Sequence, residues 1–239
     1  MSYESAGREA SMALRRVSLH IAEGECLALI GSSGSGKTTL LRCLNRMIEP
    51  TDGKVVVGGE DVCEWDVFRL RRSMGYVMQS GGLFPHFTVE RNLSLVARLE
   101  SWSPTRIDER SRVVLELVGL EPDEYLPRFP HELSGGQRQR VGVARALFLD
   151  PPIVLMDEPF GALDPVNRER LQVEFLGLQQ TLGKTVVMVT HDMKEAFRLG
   201  DRVALLSQGE LLQVGSEEQF RQSPQSELVR AFLKEHLQS

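Results

Sequence analysis

The chain has 239 residues, 41% of them hydrophobic and 26% charged, with a formal net charge of -5. The length suffices for one large α/β domain or two small ones, the composition is that of a soluble globular protein, and the charge argues against a nucleic-acid partner, since phosphate neutralisation needs a basic face and no lysine or arginine run stands out. No apolar stretch approaches the roughly 20 residues that cross a bilayer, and Met1 to Ala10 lacks the apolar core of a signal peptide, so the chain is expected in the cytoplasm, reaching a membrane only through a partner.

The first strong element is the apolar run Cys26 to Ile30, a strand buried on both faces. A glycine-rich loop follows, and then a helical pattern from Lys37 to Met47. Lys54 to Val57 with Gly58-Gly59 reads as part of an antiparallel side sheet, and Arg69, Arg71 and Arg72 as the solvated side of a short helix. Gly75 to Met78 is strand-like. From Gly81 to Asp150 the periodic stretches Val89 to Leu99, Ile107 to Val118 and Gly136 to Leu149 read as three helices with almost no strand between them, punctuated by prolines at the joints. This segment is expected to be a helical insertion. Strands return at Ile153 to Met156, Thr185 to Val189, Arg202 to Leu206 and Leu211 to Val214, alternating with helices Pro165 to Thr181, Met193 to Leu199, Ser216 to Arg221 and Glu227 to Leu237. The alternation predicts a parallel sheet with right-handed crossovers. Cys26, Cys43 and Cys63 lack metal-ligand spacing and read as small buried residues in a reducing compartment.

Five strings carry the chemistry: Gly31 to Thr39 (G-S-S-G-S-G-K-T-T), Gln79, Leu133 to Gln137 (L-S-G-G-Q), Ile153 to Glu158 (I-V-L-M-D-E) and His191. A triphosphate needs many donors at short range and a backbone that approaches without Cβ obstruction. The loop from Gly31 through Ser32, Ser33, Gly34, Ser35 and Gly36 supplies that approach between a strand and a helix, so its amides and the positive helix end converge on phosphate. Lys37 adds a charge and Thr38 a hydroxyl for Mg²⁺. Asp157 and Glu158 leave a buried strand at its carboxyl end, where ligands of open α/β sheets bind. Asp157 is assigned to Mg²⁺ and Glu158 to activation of the attacking water as general base. His191, just after another strand, reads as a γ-phosphate sensor. Ser134, Gly135 and Gly136 open a helix far along the chain from the first loop and form a second anion cradle. One ATP per chain does not need two cradles, whereas two chains facing head to tail use both.

With these strings in this order, nearly the whole chain resembles an ATP-binding-cassette ATPase. Gly31 to Thr39 resembles the Walker A loop, Gln79 the Q-loop glutamine, Leu133 to Gln137 the signature and Ile153 to Glu158 the Walker B strand. Gly161-Ala162-Leu163-Asp164 resembles the D-loop and His191 the switch histidine. The resemblance implies a P-loop NTPase of the α/β class as a single domain over 1–239, with a RecA-like core sheet, an antiparallel side sheet and a helical subdomain over about 81–150. It also implies ATP and Mg²⁺ as ligands. Glu158, His191, Gln79 and Lys37 would be the catalytic set, and Thr38, Gln79 and Asp157 the metal positions. Nucleotide contacts would come from Gly31 to Thr39, Ser134, Gly135, Gly136, Gln137 and Asp164. Its partners would be a second copy with two sandwiched ATPs and a membrane permease gripped by the helical subdomain.

A finer resemblance, carried by Arg42 to Val57, Gly75 to Asn92 and Pro130-His131-Glu132, is to the ATPase subunits of importers for glycine betaine, choline, carnitine or proline betaine. It implies a separate substrate-binding protein that recognises the cationic solute, and a place at the cytoplasmic face of the membrane. An importer of amino acids or another small solute stays open as the alternative. Tyr3, the sole aromatic residue before the phosphate loop, is assigned to stacking on adenine. The chain ends at Ser239, which leads to the expectation of no C-terminal regulatory CBS modules. Leu83, Phe84 and Phe87 with Pro85 form an apolar cluster after Gln79 that is expected to meet the permease.

Overall fold

The structure is a computed structural model that describes residues 2–3, 11–79, 81–161 and 163–237. In chain order the elements are β1 (Ser2–Tyr3), β2 (Ser11–Met12), β3 (Cys26–Ile30), α1 (Lys37–Leu44), β4 (Val56–Val57), β5 (Glu60–Asp61), α2 (Val67–Arg72) and β6 (Met74–Val77). There follow α3 (Val89–Leu99), α4 (Pro104–Leu117), α5 (Pro122–Tyr125), a 3-10 turn (Pro130–Glu132), α6 (Gly135–Ala146), β7 (Ile153–Asp157) and α7 (Pro165–Leu182). Then come β8 (Thr185–Val189), α8 (Met193–Leu199), β9 (Arg202–Ser207), β10 (Glu210–Gly215), α9 (Glu217–Gln222) and α10 (Glu227–Leu237). They fall into two compact units, Met1–Arg71 with Thr185–Ser239, and Arg72–Lys184.

In the first unit β3 is the central strand, parallel to β8 on one edge and to β9 on the other. All five of its residues are 1% exposed or less, which is why its sequence is continuously apolar rather than alternating. β10 extends the sheet antiparallel to β9, with a bulge between Leu211 and Gln213. α8 packs on β3 and α1 on β8. The antiparallel pairs β1–β2 and β4–β5 stand apart from this sheet, the second joined through Gly58-Gly59 as the sequence suggested. Helix α1 stops at Leu44, three residues before the expected Met47. Arg46 takes φ +54, and Asn45 Oδ1 accepts a hydrogen bond from the Met47 amide at 3.2 Å, so the chain turns out of the helix although its periodicity continues. Arg71 of α2 caps that end by donating to the Arg46 carbonyl at 2.8 Å.

The second unit pairs β6 and β7 in parallel and packs a helical core beside them. Val89, Leu93 and Ala97 of α3 meet Ile107, Val114 and Leu115 of α4 and Val141 and Ala144 of α6, with Phe148 closing the cluster. The spacing of these residues is the 3.6-residue period that marked the segments as helical. Thr88 caps α3 by accepting from the Arg91 amide, and Ser103 caps α4, where Pro104 fills the first helical position whose N–H would be unpaired anyway. α5 and the 3-10 turn were not expected, because four and three residues are too few to show a period. Among the described residues no helix is long and apolar enough to cross a membrane.

Cys26 and Cys43 are buried, as expected, but Cys63 is exposed in the turn after β5, because it follows the short side hairpin rather than a core strand. Burial pushes the Cys26 thiol up to about 12, with the nearby carboxylates of Asp201 and Glu25 adding to it. A thiol raised so far stays protonated at pH 8 and is not a nucleophile. Titration of the native protein with a thiol reagent at pH 8 is therefore expected to show one fast group per chain, lost in Cys63→Ser, and all three only after denaturation. Any fast group in Cys63→Ser would contradict the burial of Cys26 in β3 or of Cys43 in α1.

Candidate functional site

The phosphate loop of the first unit is shaped by what its glycines touch. Gly31 has φ +144, and a Cβ built on it would lie 2.1 Å from the Leu206 carbonyl oxygen. Gly36 has φ +101, and its Cβ would lie 2.5 Å from the Ala13 carbonyl oxygen. Neither position admits a side chain without moving backbone. Between them the loop closes on Lys37, which is only 7% exposed. Its ammonium donates to the Gly31 carbonyl at 2.7 Å, the Ser32 carbonyl at 2.9 Å and Ser35 Oγ at 3.4 Å. Ser32, Ser33 and Gly34 form the exposed crest, while Thr38 and Thr39 are half-buried in the first turn of α1. A lysine head held by carbonyls at a helix start is a cation kept in place for an anion.

His191 arrives at the same edge by register. Leu29 of β3 pairs with Val189 of β8, so Gly31 and His191 each lie two residues beyond one rung of a parallel ladder. The backbone around the histidine is pinned. Thr190 donates its amide to the Leu29 carbonyl at 3.1 Å, and Asp192 caps α8 by accepting from the Lys194 and Glu195 amides at 2.8 and 3.1 Å. The His191 side chain itself is exposed.

In the second unit the same construction recurs. Val77 of β6 pairs with Met156 of β7, so Gln79 and Glu158 each follow their rung by two residues. Their side chains meet, Gln79 Nε2 donating to Glu158 Oε2 at 2.9 Å. Asp157 is half-buried and accepts from the Tyr76 hydroxyl at 3.4 Å. Glu158 sits at φ +48, a left-handed conformation that costs a non-glycine residue about 1–2 kcal/mol. The turn is closed by the Gly161 amide, which donates to the Glu158 carbonyl at 3.2 Å. Strain of this kind, at a carboxylate leaving a strand, is characteristic of a working site.

The L-S-G-G-Q segment opens α6. Ser134 Oγ accepts from the Gln137 amide at 3.2 Å while Gln137 Oε1 accepts from the Ser134 amide at 2.8 Å, a reciprocal capping box. The Gln137 amide nitrogen donates in turn to the Tyr125 hydroxyl at 2.8 Å. Packing within the unit does not require the two glycines. A Cβ on Gly135 would come no closer than 3.9 Å to Arg138, and one on Gly136 no closer than 3.9 Å to Leu171. Two good helix breakers at a helix start, with room for side chains, leave amides open to something outside the unit. Asp164 is exposed, and its carbonyl accepts from the Arg168 amide at the start of α7. Ala162, within the same motif, lies outside the described residues, as does the side chain of Tyr3, whose backbone pairs with Ser11.

Sequence reasoning missed Asn92. It is fully buried and pins the aromatic loop before α3, accepting from the Phe84 amide at 2.8 Å and donating to the carbonyls of Phe84, Phe87 and Thr88 at 3.0–3.1 Å. The signal was present: Asn92 falls on the apolar stripe Val89, Leu93, Ala97, where a polar residue must find partners.

Residues 14–161 match the ABC transporter family. The chain is 52% identical over 226 residues to the glycine betaine/carnitine/choline transport ATP-binding protein OpuCA of Bacillus subtilis, which covers 94% of this chain and 59% of that protein. It is 47% identical to the glycine betaine uptake system ATP-binding protein YehX of Escherichia coli, over 93% of this chain and 72% of YehX. Against several curated relatives the chain spans somewhat under three fifths of their length. Among solved structures, a dimeric post-hydrolysis ATP-binding cassette bound to ADP and Pi superposes with a TM-score of 0.80 at 35% identity, covering 90% of this chain and 94% of that one. The α/β cassette architecture, the phosphate loop and the L-S-G-G-Q helix therefore have one explanation: the chain belongs to the ABC transporter family.

Proposed function

We propose that this chain is the ATP-hydrolysing subunit of a membrane importer for quaternary-amine osmoprotectants such as glycine betaine or choline. The observation that carries the solute class is the 52% identity, over 94% of the chain, to a protein named for glycine betaine, carnitine and choline transport. Hydrolysis is supported by the collar of loop carbonyls around Lys37 and by the Gln79–Glu158 contact.

The residues fit a nucleoside triphosphate as substrate. Gly31 and Gly36 keep the loop floor clear, and Lys37 can exchange neutral carbonyl acceptors for charged phosphate oxygens, which make hydrogen bonds roughly twice as strong. Thr38, Gln79 and Asp157, the positions matching the family's metal residues, offer only oxygen ligands of the kind a hard cation takes. Mg²⁺ bound there would neutralise charge on the phosphates. Glu158 takes the proton of the attacking water, and the hydrogen bond from Gln79 fixes the direction of its carboxylate. His191 supplies a donor for the γ-phosphate. The open amides of Gly135 and Gly136 with Ser134 act on the ATP of a second copy, a reading supported by the dimeric state of the similar cassette. Asp164 and Gln137 belong to the same shared surface. Tyr3 is assigned to the adenine ring.

The partners of this reading are a permease at the cytoplasmic face of the membrane and a separate solute-binding protein. Phe84 is 41% exposed, its ring 5.5 Å from that of Phe87, and the Phe87 ring lies 4.4 Å from His86. An aromatic surface held rigid by Asn92 is a fitting seat for a permease segment.

ATP-dependent uptake by vesicles carrying the chain, its permease and its binding protein tests the solute: glycine betaine or choline should be taken up in preference to any amino acid. Preference for an amino acid would overturn the solute class and leave the hydrolysis reading intact. Glu158→Gln is expected to bind ATP within twofold of the unaltered chain yet hydrolyse it at least about a hundredfold more slowly, the loss typical of a general base. Size-exclusion chromatography with ATP should then show a persistent dimer, and a monomer with ATP bound would refute the shared site. Phe84→Ala should lower coupled uptake by roughly thirtyfold, as truncating an interface hot spot of about 2 kcal/mol does, with soluble ATPase activity unchanged. Equal loss of both activities would mean that Phe84 acts on the fold of the chain and not on the permease.

A further inference from the structure

Helix α6 touches the turn behind Gln79 from Arg138 to Arg145. Arg138, Gln139, Gly142 and Arg145 lie at positions i, i+1, i+4 and i+7, one face of a helix, and that face meets Gly81 and Gly82. The approach is backbone to backbone. A Cβ on Gly142 would lie 3.1 Å from both Cα and O of Gly81, and a Cβ on Gly81 would lie 3.0 Å from the Arg138 carbonyl oxygen. The Gly81 amide closes the turn that carries Gln79 by donating to the Met78 carbonyl at 2.9 Å.

Arg145 then locks this contact. Its guanidinium forks onto two successive carbonyls, Nη1 donating to Gly82 O at 2.9 Å and Nη2 to Gly81 O at 3.0 Å. Burial holds its pKa below the usual arginine range, the mark of a cation placed at a cost. A half-buried cation set on two backbone carbonyls is a fastening, and it joins two functional strings. Gln79 lies just before the turn, and Ser134 caps the far end of the helix in whose last turn Arg145 sits.

We propose that Arg145 is a positioning residue that clasps the Gly81–Gly82 turn to α6, so that Gln79 and Ser134 shift as one body and each ATP site reports to the other. The inference rests on the shared-site reading given above. It accounts for the glycine at position 142, where a Cβ would press on the Gly81 backbone, and for a long half-buried cation in a helix whose other end faces the partner's nucleotide.

The test uses Arg145→Ala and Arg145→Lys in the full chain, with hydrogen exchange followed over residues 76–83 and 133–138. Without nucleotide, both segments should exchange at least about tenfold faster in Arg145→Ala than in the unaltered chain, a local opening confined to the clasped parts, while residues 31–39 do not change. With Mg·ATP, in the Glu158→Gln background, both segments should be protected together, and Arg145→Ala should uncouple them. Steady-state kcat should fall by about tenfold with KM for ATP within about twofold, the signature of a lost transition-state arrangement rather than lost binding. Arg145→Lys should recover at least half of kcat, since an ammonium still reaches one carbonyl. Unchanged exchange in both segments of Arg145→Ala would overturn the clasp. A parallel loss of kcat, KM and melting temperature without recovery in Arg145→Lys would overturn it too, leaving only a folding role. Should the Glu158→Gln chain with Arg145 intact show no protection with Mg·ATP, the shared-site reading falls, while the nucleotide-free comparison still decides the clasp.

Discussion

The collar of carbonyl oxygens around the Lys37 ammonium is the interaction on which the proposed nucleotide chemistry rests. Burying an ammonium costs several kcal/mol unless its protons are taken up. Here the Gly31 and Ser32 carbonyls and the Ser35 hydroxyl accept them. They can do so only because the loop folds back on itself, with Gly31 pressed against Leu206 and Gly36 against Ala13. The brace continues outward, since the Gly209 amide donates to the Ser35 carbonyl and the Arg15 amide to that of Gly209. The loop thus keeps its form by internal bonds, and on the proposed reading a phosphate would meet donors already in place. Preorganisation of that kind is what makes electrostatic stabilisation effective in a site.

Parallel pairing does the rest of the placement. In each unit two parallel strands end in register, and a residue of each candidate motif follows the last rung by two positions: Gly31 and His191 in the first, Gln79 and Glu158 in the second. Such an arrangement gathers residues distant in sequence at the carboxyl edge of a sheet, where no strand hydrogen bonds compete for them. The strained φ of Glu158 belongs to the same design. It turns the chain immediately after β7, so the carboxylate stays at the edge and meets Gln79 rather than running on with the strand.

Much of this was legible in the chain, for a physical reason. Strands buried on both faces have to be continuously apolar, so Cys26–Ile30 and Thr185–Val189 could be placed to the residue. Helices with a buried stripe show their period, as Val89–Leu99 and Met193–Leu199 do. What could not be read depends on events that leave no local trace. The left-handed turn at Arg46 ended α1 early without a glycine to announce it. Gln79 and Glu158, separated by 79 positions, meet only because of a register that no single strand encodes. Asn92 was hidden because a polar residue on an apolar stripe looks like an imperfection until its four backbone partners are known.

Helix α6 shows how the functional and structural demands on one segment are reconciled. Its sequence, G-G-Q-R-Q-R-V-G-V-A-R-A, contains three glycines, and an interior glycine weakens a helix by about 1 kcal/mol relative to alanine. Intrinsic propensity therefore does not hold it straight. Arginines do. Arg138 reaches the Leu133 carbonyl ahead of the helix, and Arg140 bonds the Val118 carbonyl at 2.6 Å and pairs with Glu174. Past its far end, Arg110 of α4 donates to the carbonyls of Leu147 and Phe148 at 2.7 and 2.9 Å. The glycines are free to serve close approach, at the start for the proposed ligand and at Gly142 for the turn behind Gln79, because fixed guanidinium contacts add to the packing of Val141 and Ala144 as a source of rigidity. A helix built this way can present bare amides at its tip without fraying, and this accounts for arginines at three of its twelve positions in a chain whose overall charge is negative.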